Sequence, residues 1–174
     1  MAQFDRNWNE IWKRLNSGVL SSPAKDSLYF IVHERAYTRE RGFRLLPNVY
    51  ETPFCSKCDS NLIESQVHKY CLCSSVSDAW CLVRQLMENL DISIVFESDF
   101  SIIHLFYTEP LHGHSVLWLI GEYVCLVESV AIKENKKLSR DILLNHLRQK
   151  WLEIQHMATH AIDFIPGLFP VGIG

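Results

Sequence analysis

The stretch of sequence that decides the fold covers residues 55–73 and reads CSKCDSNLIESQVHKYCLC. Its cysteines and histidine follow the spacing C-x2-C-x9-H-x4-C. A C-x2-C turn presents two thiolates to one ion, and a His and a Cys further along the chain can complete the tetrahedron that zinc requires. The spacing therefore predicts a CCHC zinc knuckle, with Zn2+ as the cofactor.

Two cysteines compete for the fourth position by spacing alone. Cys71 follows His68 with H-x2-C spacing, and Cys73 follows it with H-x4-C spacing. We favour Cys73 because the longer step leaves room for a turn. Lys57 and Lys69 are expected to favour the thiolate forms of the nearby cysteines. The favoured ligand set is Cys55, Cys58, His68 and Cys73.

The length and the composition limit the class of protein. At 174 residues and 20.2 kDa the chain has room for about one domain or one and a half. Its 48% hydrophobic and 21% charged residues exclude collagen-like, low-complexity and wholly disordered classes. The net charge is −3, but residues 1–50 carry eight Lys or Arg against five Asp or Glu. This segment can therefore offer a modest phosphate-binding face.

The distribution of apolar residues predicts neither a secretion signal nor a membrane span. Residues 1–16 contain no apolar run of the signal-peptide type. The apolar stretch 115–132 is interrupted by Gly121, Glu122 and Glu128. We expect a nuclear or cytoplasmic location, where thiols stay reduced. Cysteines outside the ligand set, such as Cys81 and Cys125, are then interpreted as small core residues on apolar helix faces.

Apolar residues at three- and four-residue steps predict helices on both sides of the cysteine stretch. Ser22, Thr38 and Ser139 are expected to be N-caps, with Pro23 at the first helical position after Ser22. Residues 92–107 fit either a short β-hairpin or a buried helical segment. The predicted helices are 4–15, one beginning at 22, 38–45, 77–90, 114 or 115 to about 135, and 139 to about 161.

The predicted fold class is mostly α, a small helical domain with the zinc knuckle followed by a helical hairpin. The helical region with the knuckle occupies 1–90, a helical C-terminal part packed on it occupies 91–161, and a Pro/Gly-rich tail occupies 162–174. Trp8 and Trp12 could stack on bases, but their helical spacing predicts core positions.

Other histidines are weaker candidates for a site. His156 and His160 lie one helical turn apart and could hold a second metal, but the general-base Glu of an H-E-x-x-H motif is missing. His112 and His114 are expected in a polar turn, and His33 at the end of a helix is expected to be structural. The sequence contains no polymerase-type Asp-Asp pair, no nuclease carboxylate set and no phosphate-binding G-x-x-x-x-G-K-[ST] loop. We therefore do not expect an enzyme.

Several motifs occur in an order that resembles the zinc-binding region found after the polymerase domain in reverse transcriptases of non-LTR retrotransposons. They are W-x2-I-W-x2-L from Trp8, SLYFIVH ending at His33, TRER from Thr38, C-x2-C from Cys55, E-S-x2-H-x4-C from Glu64, and Trp80. The likeness covers about residues 5–90, and it departs from the family at Asp59, where a Gly is usual. It implies a stand-alone fragment without its polymerase. The resemblance also implies Cys55, Cys58, His68 and Cys73 as zinc ligands, with Cys71 outside the set.

Two functions are compatible with these features. The first is a non-enzymatic zinc-binding module, derived from a retrotransposon reverse transcriptase, that binds RNA or DNA. The second is a protein-interaction or adaptor module in which zinc is purely structural and the partner is another protein or a second copy. The resemblance favours nucleic acid. The residues expected to contact it are Lys13, Arg14, Arg39, Arg41 and Arg44.

Overall fold

A computed structural model describes residues 8–16, 18–89, 113–133 and 137–155. Within these ranges the chain is mostly helical, which confirms the predicted fold class. The one departure from helix and loop in the described part is an isolated antiparallel β-bridge between Phe54 and Ile63. The elements are α1 (Trp8–Leu15), α2 (Ser22–Val32), α3 (Arg39–Leu45), a π-helical turn (His68–Leu72), α4 (Ser77–Glu88), α5 (Gly113–Lys133) and α6 (Arg140–Gln155).

Helix α5 forms the centre of the core, and α2, α4 and α6 pack against it. Its side chains Trp118, Leu119 and Tyr123 are fully buried. Gly121 lets α2 approach closely, because a Cβ at this position would lie 2.6 Å from Cδ2 of Leu20. The same apolar cluster includes Cys55, Cys71 and Cys73. The cysteine stretch is therefore built into the edge of the helical core.

Glu122 interrupts the apolar sequence of α5 with a carboxylate that is almost completely buried. Its Oε1 accepts a hydrogen bond from Ser21 Oγ at 2.9 Å, and its Oε2 lies 3.0 Å from His146 Nε2. Burial of a carboxylate is costly unless it is paired and hydrogen-bonded. Glu122 therefore links α5 to the start of α2 and to α6.

The helix caps follow the sequence closely, with one exception. Thr38 Oγ1 accepts from the N–H of Arg41, and Ser139 Oγ accepts from the N–H of Ile142, so both predicted caps are confirmed. The predicted cap at Ser22 is wrong by one residue. Ser21 has the extended backbone of an N-cap and accepts from the N–H of Ala24, with Pro23 in the first turn. The hydroxyl of Ser21 also donates to buried Glu122, so the same side chain caps α2 and contacts α5.

Predictions of burial fail at three positions. Trp8 and Trp12 are 38% and 39% exposed, because the apolar face of α1 turns Ile11 and Leu15 into the core and leaves both indoles at its edge. Cys81 is exposed, since α4 buries Trp80 and Val83 on its inner face and turns position 81 outward. Cys125 is half-buried beside the core.

Some sequence predictions fall outside the described residues. These are the start of the first helix before residue 8, the segment 92–107, His112, the pair His156 and His160, and the tail 162–174. Helix α5 begins at Gly113, so the backbone of His114 is helical and the predicted turn there is wrong. Within the described ranges, no helix combines the length and the apolar character that are needed to cross a membrane.

Candidate metal centre

The first two cysteines lie in a short β-like loop. Phe54 and Ile63 form its antiparallel bridge. The N–H of Cys55 donates to the carbonyl of Leu62 at 2.9 Å, and the N–H of Glu64 donates to the carbonyl of Pro53 at 3.0 Å. These bonds close residues 53–64 into a loop, which we call the knuckle loop. Both cysteines are thereby held on one side of the chain.

Local hydrogen bonds to sulfur shape the C-x2-C turn. The N–H of Lys57 points at Cys55 Sγ at 3.4 Å, and the Ser60 hydroxyl lies 2.9 Å from Cys58 Sγ. Asp59 occupies the position where the family that the sequence resembles usually has Gly, yet it is not among the residues with positive φ. The left-handed residue of the knuckle loop is Asn61, with φ 51°, and Asn tolerates this region well. The turn therefore does not need a glycine at 59.

A single π-helical turn places His68 and Cys73. The N–H of Cys73 donates to the carbonyl of His68 at 2.8 Å, which closes a ring one residue wider than an α-helical one. In an α-helix residues five apart point about 140° apart. The wider turn brings Cys73 back to the side of His68. Cys71, inside the turn, is buried and lies outside the donor group.

Four donor atoms converge where the knuckle loop meets the π turn, and the group can hold a metal ion. They belong to Cys55, Cys58, His68 and Cys73, and all lie within 4.8 Å of one another. The Sγ atoms of Cys55 and Cys73 are 3.7 Å apart, and Cys58 Sγ lies 3.3 Å from His68 Nε2. In a tetrahedral site with metal–sulfur bonds of about 2.3 Å, two sulfurs lie about 3.8 Å apart. The donor spacing therefore fits one tetrahedral ion.

The two thiols of the C-x2-C turn differ in acidity in the metal-free protein. Burial raises the pKa of Cys55 to about 12. Burial also opposes ionisation of Cys58, but hydrogen bonds from the hydroxyl and backbone of Ser60 outweigh it and lower the pKa of Cys58 to about 6. Hydrogen bonding therefore favours the thiolate form of Cys58, whereas burial favours the thiol form of Cys55. A metal ion must displace the proton of Cys55 to bind there.

Buried charged side chains connect the centre to the helices around it. Glu64 accepts a hydrogen bond from the N–H of Arg39 at 2.9 Å, which ties the knuckle loop to the start of α3. Lys69 is buried and pairs with Glu128 of α5 at 2.8 Å, and it also donates to the carbonyl of Tyr37 at 2.5 Å. Glu128 is therefore the counter-charge of the Lys69 ammonium group, and the expectation that Lys69 favours thiolates stays a prediction.

The five predicted nucleic-acid contacts lie on α1 and α3. Lys13 and Arg44 are exposed, and Arg14, Arg39 and Arg41 are half-buried. Both helices approach the end of α2. Trp8 of α1 stacks on His33 with ring centroids 5.1 Å apart, and the Arg41 guanidinium lies 3.5 Å from the carbonyl of Glu34. The structure thus brings the basic residues of α3 near the first turn of α1. It leaves Lys13 and Arg14 at the other end of that helix.

Phe30 is 48% exposed next to Tyr29 on α2, and the sequence analysis did not identify it as a candidate binding residue. The apolar stripe of α2 already contains Leu28, Ile31 and Val32, so a further aromatic residue at position 30 had no place on the buried face. An aromatic residue outside the apolar face of its helix is the sequence feature that could have identified Phe30.

No protein-family model, curated protein or solved structure matches the chain.

Proposed function

We propose that the protein is a non-enzymatic, zinc-stabilised module that binds nucleic acid. The observation that carries the zinc assignment is the convergence of Cys55, Cys58, His68 and Cys73 within 4.8 Å. Three thiolates and one imidazole in a tetrahedron are the donor set typical of structural zinc. Four protein ligands fill the coordination sphere, so the ion has no open position for a substrate.

Zinc would stabilise the fold by joining the knuckle loop to the π turn. Cys55 and Cys58 belong to the knuckle loop, and His68 and Cys73 belong to the π turn. Glu64 links the knuckle loop to α3 by a hydrogen bond, and Lys69 links the π turn to α5 by its ion pair. When a metal joins segments in the folded state only, its binding free energy becomes folding free energy. Removal of the ion should therefore loosen α3, which carries three of the proposed phosphate contacts, Arg39, Arg41 and Arg44.

The resemblance to the zinc-binding region of non-LTR retrotransposon reverse transcriptases supports nucleic acid as the partner. The basic residues of α1 and α3 support it as well, because Lys and Arg contribute affinity by releasing counterions from phosphates. In this proposal the module is derived from such an element, lacks polymerase activity, and works in the nucleus or the cytoplasm.

The experiment measures metal content and then nucleic-acid affinity as a function of salt. Purified full-length protein should contain one zinc per chain, and its affinity for RNA or DNA should fall steeply as salt rises. Lys13→Gln and Arg44→Gln should each lower the slope of log affinity against log salt by about one unit or less. Arg84→Gln and Arg148→Gln, which replace exposed residues on α4 and α6, are the matched controls. Binding that is absent, or that does not respond to salt, would refute the nucleic-acid proposal.

A second candidate function is protein interaction with zinc as a structural ion. The observation that favours it is the set of exposed aliphatic and aromatic side chains on α3, on the loop after it and on the knuckle loop. They are Phe43, Leu45, Leu46, Val49, Phe54, Leu62 and Ile63. Exposed apolar clusters of this kind often mark protein interfaces. Leu46→Ser and Leu62→Ser would weaken such an interface, or a homo-oligomer detected by sedimentation, without changing nucleic-acid affinity.

A further inference from the structure

Helices α1 and α2, with the residue that caps α2, carry a contiguous group of aromatic rings, all of them exposed except the half-buried His33. We call Trp8, Trp12, Tyr29, Phe30 and His33 the aromatic platform. Trp8 stacks on His33 with centroids 5.1 Å apart and planes at 14°. Tyr29 contacts His33 at 4.4 Å, Trp12 at 5.6 Å and Phe30 at 5.7 Å, measured between ring centroids. The rings therefore support one another from one helix to the next.

The composition of the platform argues for a ligand with flat faces. In the described parts of α1 and α2, each large apolar residue that is exposed is aromatic, and the exposed fractions run from 37% to 48%. The aliphatic residues of the same helices, such as Ile11, Leu28 and Val32, are buried. The faces of unpaired bases stack on such rings.

Cations lie on two sides of the platform. Lys13 is exposed and follows Trp12 directly on α1. At the far end of α2, Arg35 is exposed, and its backbone N–H donates to the carbonyl of Phe30 at 2.7 Å, which places the backbone of this residue next to the platform. The Arg41 guanidinium lies 3.5 Å from the carbonyl of Glu34, the residue that follows His33. Aromatic rings between cations are the pattern by which proteins bind the bases and phosphates of a single strand.

We infer that the aromatic platform is a stacking site for single-stranded RNA or DNA, with Lys13, Arg35 and Arg41 as phosphate contacts. The inference rests on the proposed function and makes it more specific. Bases stack on Trp12 and Phe30 when they are unpaired, and a duplex hides their faces inside its own stack. The site therefore prefers a single strand and tolerates many sequences, because every base has a flat face.

The test uses zinc-loaded full-length protein and fluorescein-labelled 12-nucleotide oligo(U), oligo(dT) and a 12-base-pair duplex, followed by anisotropy. Both single strands should bind more tightly than the duplex, and the ratio of their affinities shows whether RNA or DNA is preferred. Trp12→Leu and Phe30→Leu keep an apolar side chain but remove the ring. Each should weaken single-strand binding about 5- to 100-fold, the range given by loss of one base stack. Phe54→Leu, an exposed ring on the knuckle loop, is the matched control.

The salt dependence separates this inference from the function on which it rests. Trp12→Leu and Phe30→Leu should leave the salt slope unchanged, because no phosphate contact is lost. If Lys13→Gln lowers the slope while both ring variants bind normally, the platform is overturned and nucleic-acid binding stands. If no oligonucleotide binds, both proposals fail. If the ring variants change only the sedimentation of the protein, the platform joins two copies of the chain, which also overturns the inference. Unchanged zinc content and circular dichroism verify that each variant is folded.

Discussion

The backbone N–H of Cys73 donates to the carbonyl of His68 at 2.8 Å, and this bond decides which cysteine faces the candidate metal centre. It closes a π turn, in which the fifth residue after His68 returns to the same side of the chain. Cys71, two residues earlier, points into the core, and burial raises its pKa to about 12. Two neighbouring cysteines thus have different chemistry because of one turn.

Substitution of these two cysteines should separate the roles. Cys73→Ser removes a ligand, so the protein should lose most of its zinc and unfold locally. Cys71→Ser should retain one zinc per chain and be destabilised by only about 1–3 kcal/mol, because a hydroxyl replaces a buried thiol. Zinc analysis and cobalt(II) absorption spectra of both variants test this. Loss of metal from Cys71→Ser with retention in Cys73→Ser would contradict the assigned geometry.

The sequence could predict those structural features that depend only on residues close together along the chain. Thr38 and Ser139 could be predicted as caps because each hydroxyl accepts from the backbone N–H only three residues later. The exposure of Trp8 depends instead on where α2 lies, and α1 alone contains no such information. Lys69 finds its partner 59 residues away, on α5, and no periodicity predicts that pair. Spacing already favours Cys73 over Cys71, but the π turn that brings Cys73 to the side of His68 has no sequence signature of its own.

Metal affinity should rise with pH, because zinc binds thiolates and displaces protons. Ser60→Ala removes a hydrogen bond that lowers the pKa of Cys58 to about 6, so that pKa should rise toward 9. The variant should therefore bind zinc more weakly near pH 7, by up to about tenfold for each unit of pKa. Above pH 9 Cys58 is ionised in both proteins, and the difference should disappear. Zinc competition with a chelator from pH 6 to 9 measures the effect.

Ser56→Ala is the control for this experiment, because Ser56 lies in the same turn and is exposed like Ser60, whose hydroxyl is the one beside Cys58 Sγ. In the metal-free chain, the lowered pKa of Cys58 contributes stability that is fully present above pH 9 and is lost as the pH falls through about 6. A Ser60→Ala variant with the same zinc affinity as the parent at pH 7 would refute the role of the hydroxyl.

Loss of Glu128 should lower the free energy of unfolding more than loss of its partner Lys69. Lys69 is 5% exposed and Glu128 is 22% exposed. Glu128→Gln leaves a buried ammonium without its counter-charge and should cost about 3 kcal/mol. Lys69→Met should cost less, because Glu128 keeps the Tyr70 hydroxyl as a donor and has access to water. Urea unfolding of both zinc-loaded variants gives the two free energies. A larger loss of unfolding free energy in Lys69→Met than in Glu128→Gln would contradict the view that the buried lysine depends on Glu128 for its counter-charge.

Gly121→Ala tests whether the close approach of α2 and α5 depends on a missing side chain. Alanine favours an α-helix over glycine by about 1 kcal/mol, so propensity alone predicts a more stable protein. The added Cβ would, however, lie 2.6 Å from Leu20 Cδ2 and 3.3 Å from the Cβ of Ala24. Leu20 can move its terminal methyl, but Ala24 is fixed to the backbone of α2, so the helices must separate.

Overpacking of a core typically costs about 1–3 kcal/mol, enough to outweigh the gain in helix propensity. We therefore expect Gly121→Ala to lower the free energy of unfolding in urea by up to about 2 kcal/mol, the overpacking cost less the gain in helix propensity. Gly18→Ala is the matched control, because a Cβ there meets nothing within 4 Å among the described residues. It should be neutral or slightly stabilising, since alanine restricts the unfolded chain. A Gly121→Ala protein as stable as the Gly18→Ala protein would mean that α2 and α5 do not pack as closely as Gly121 permits.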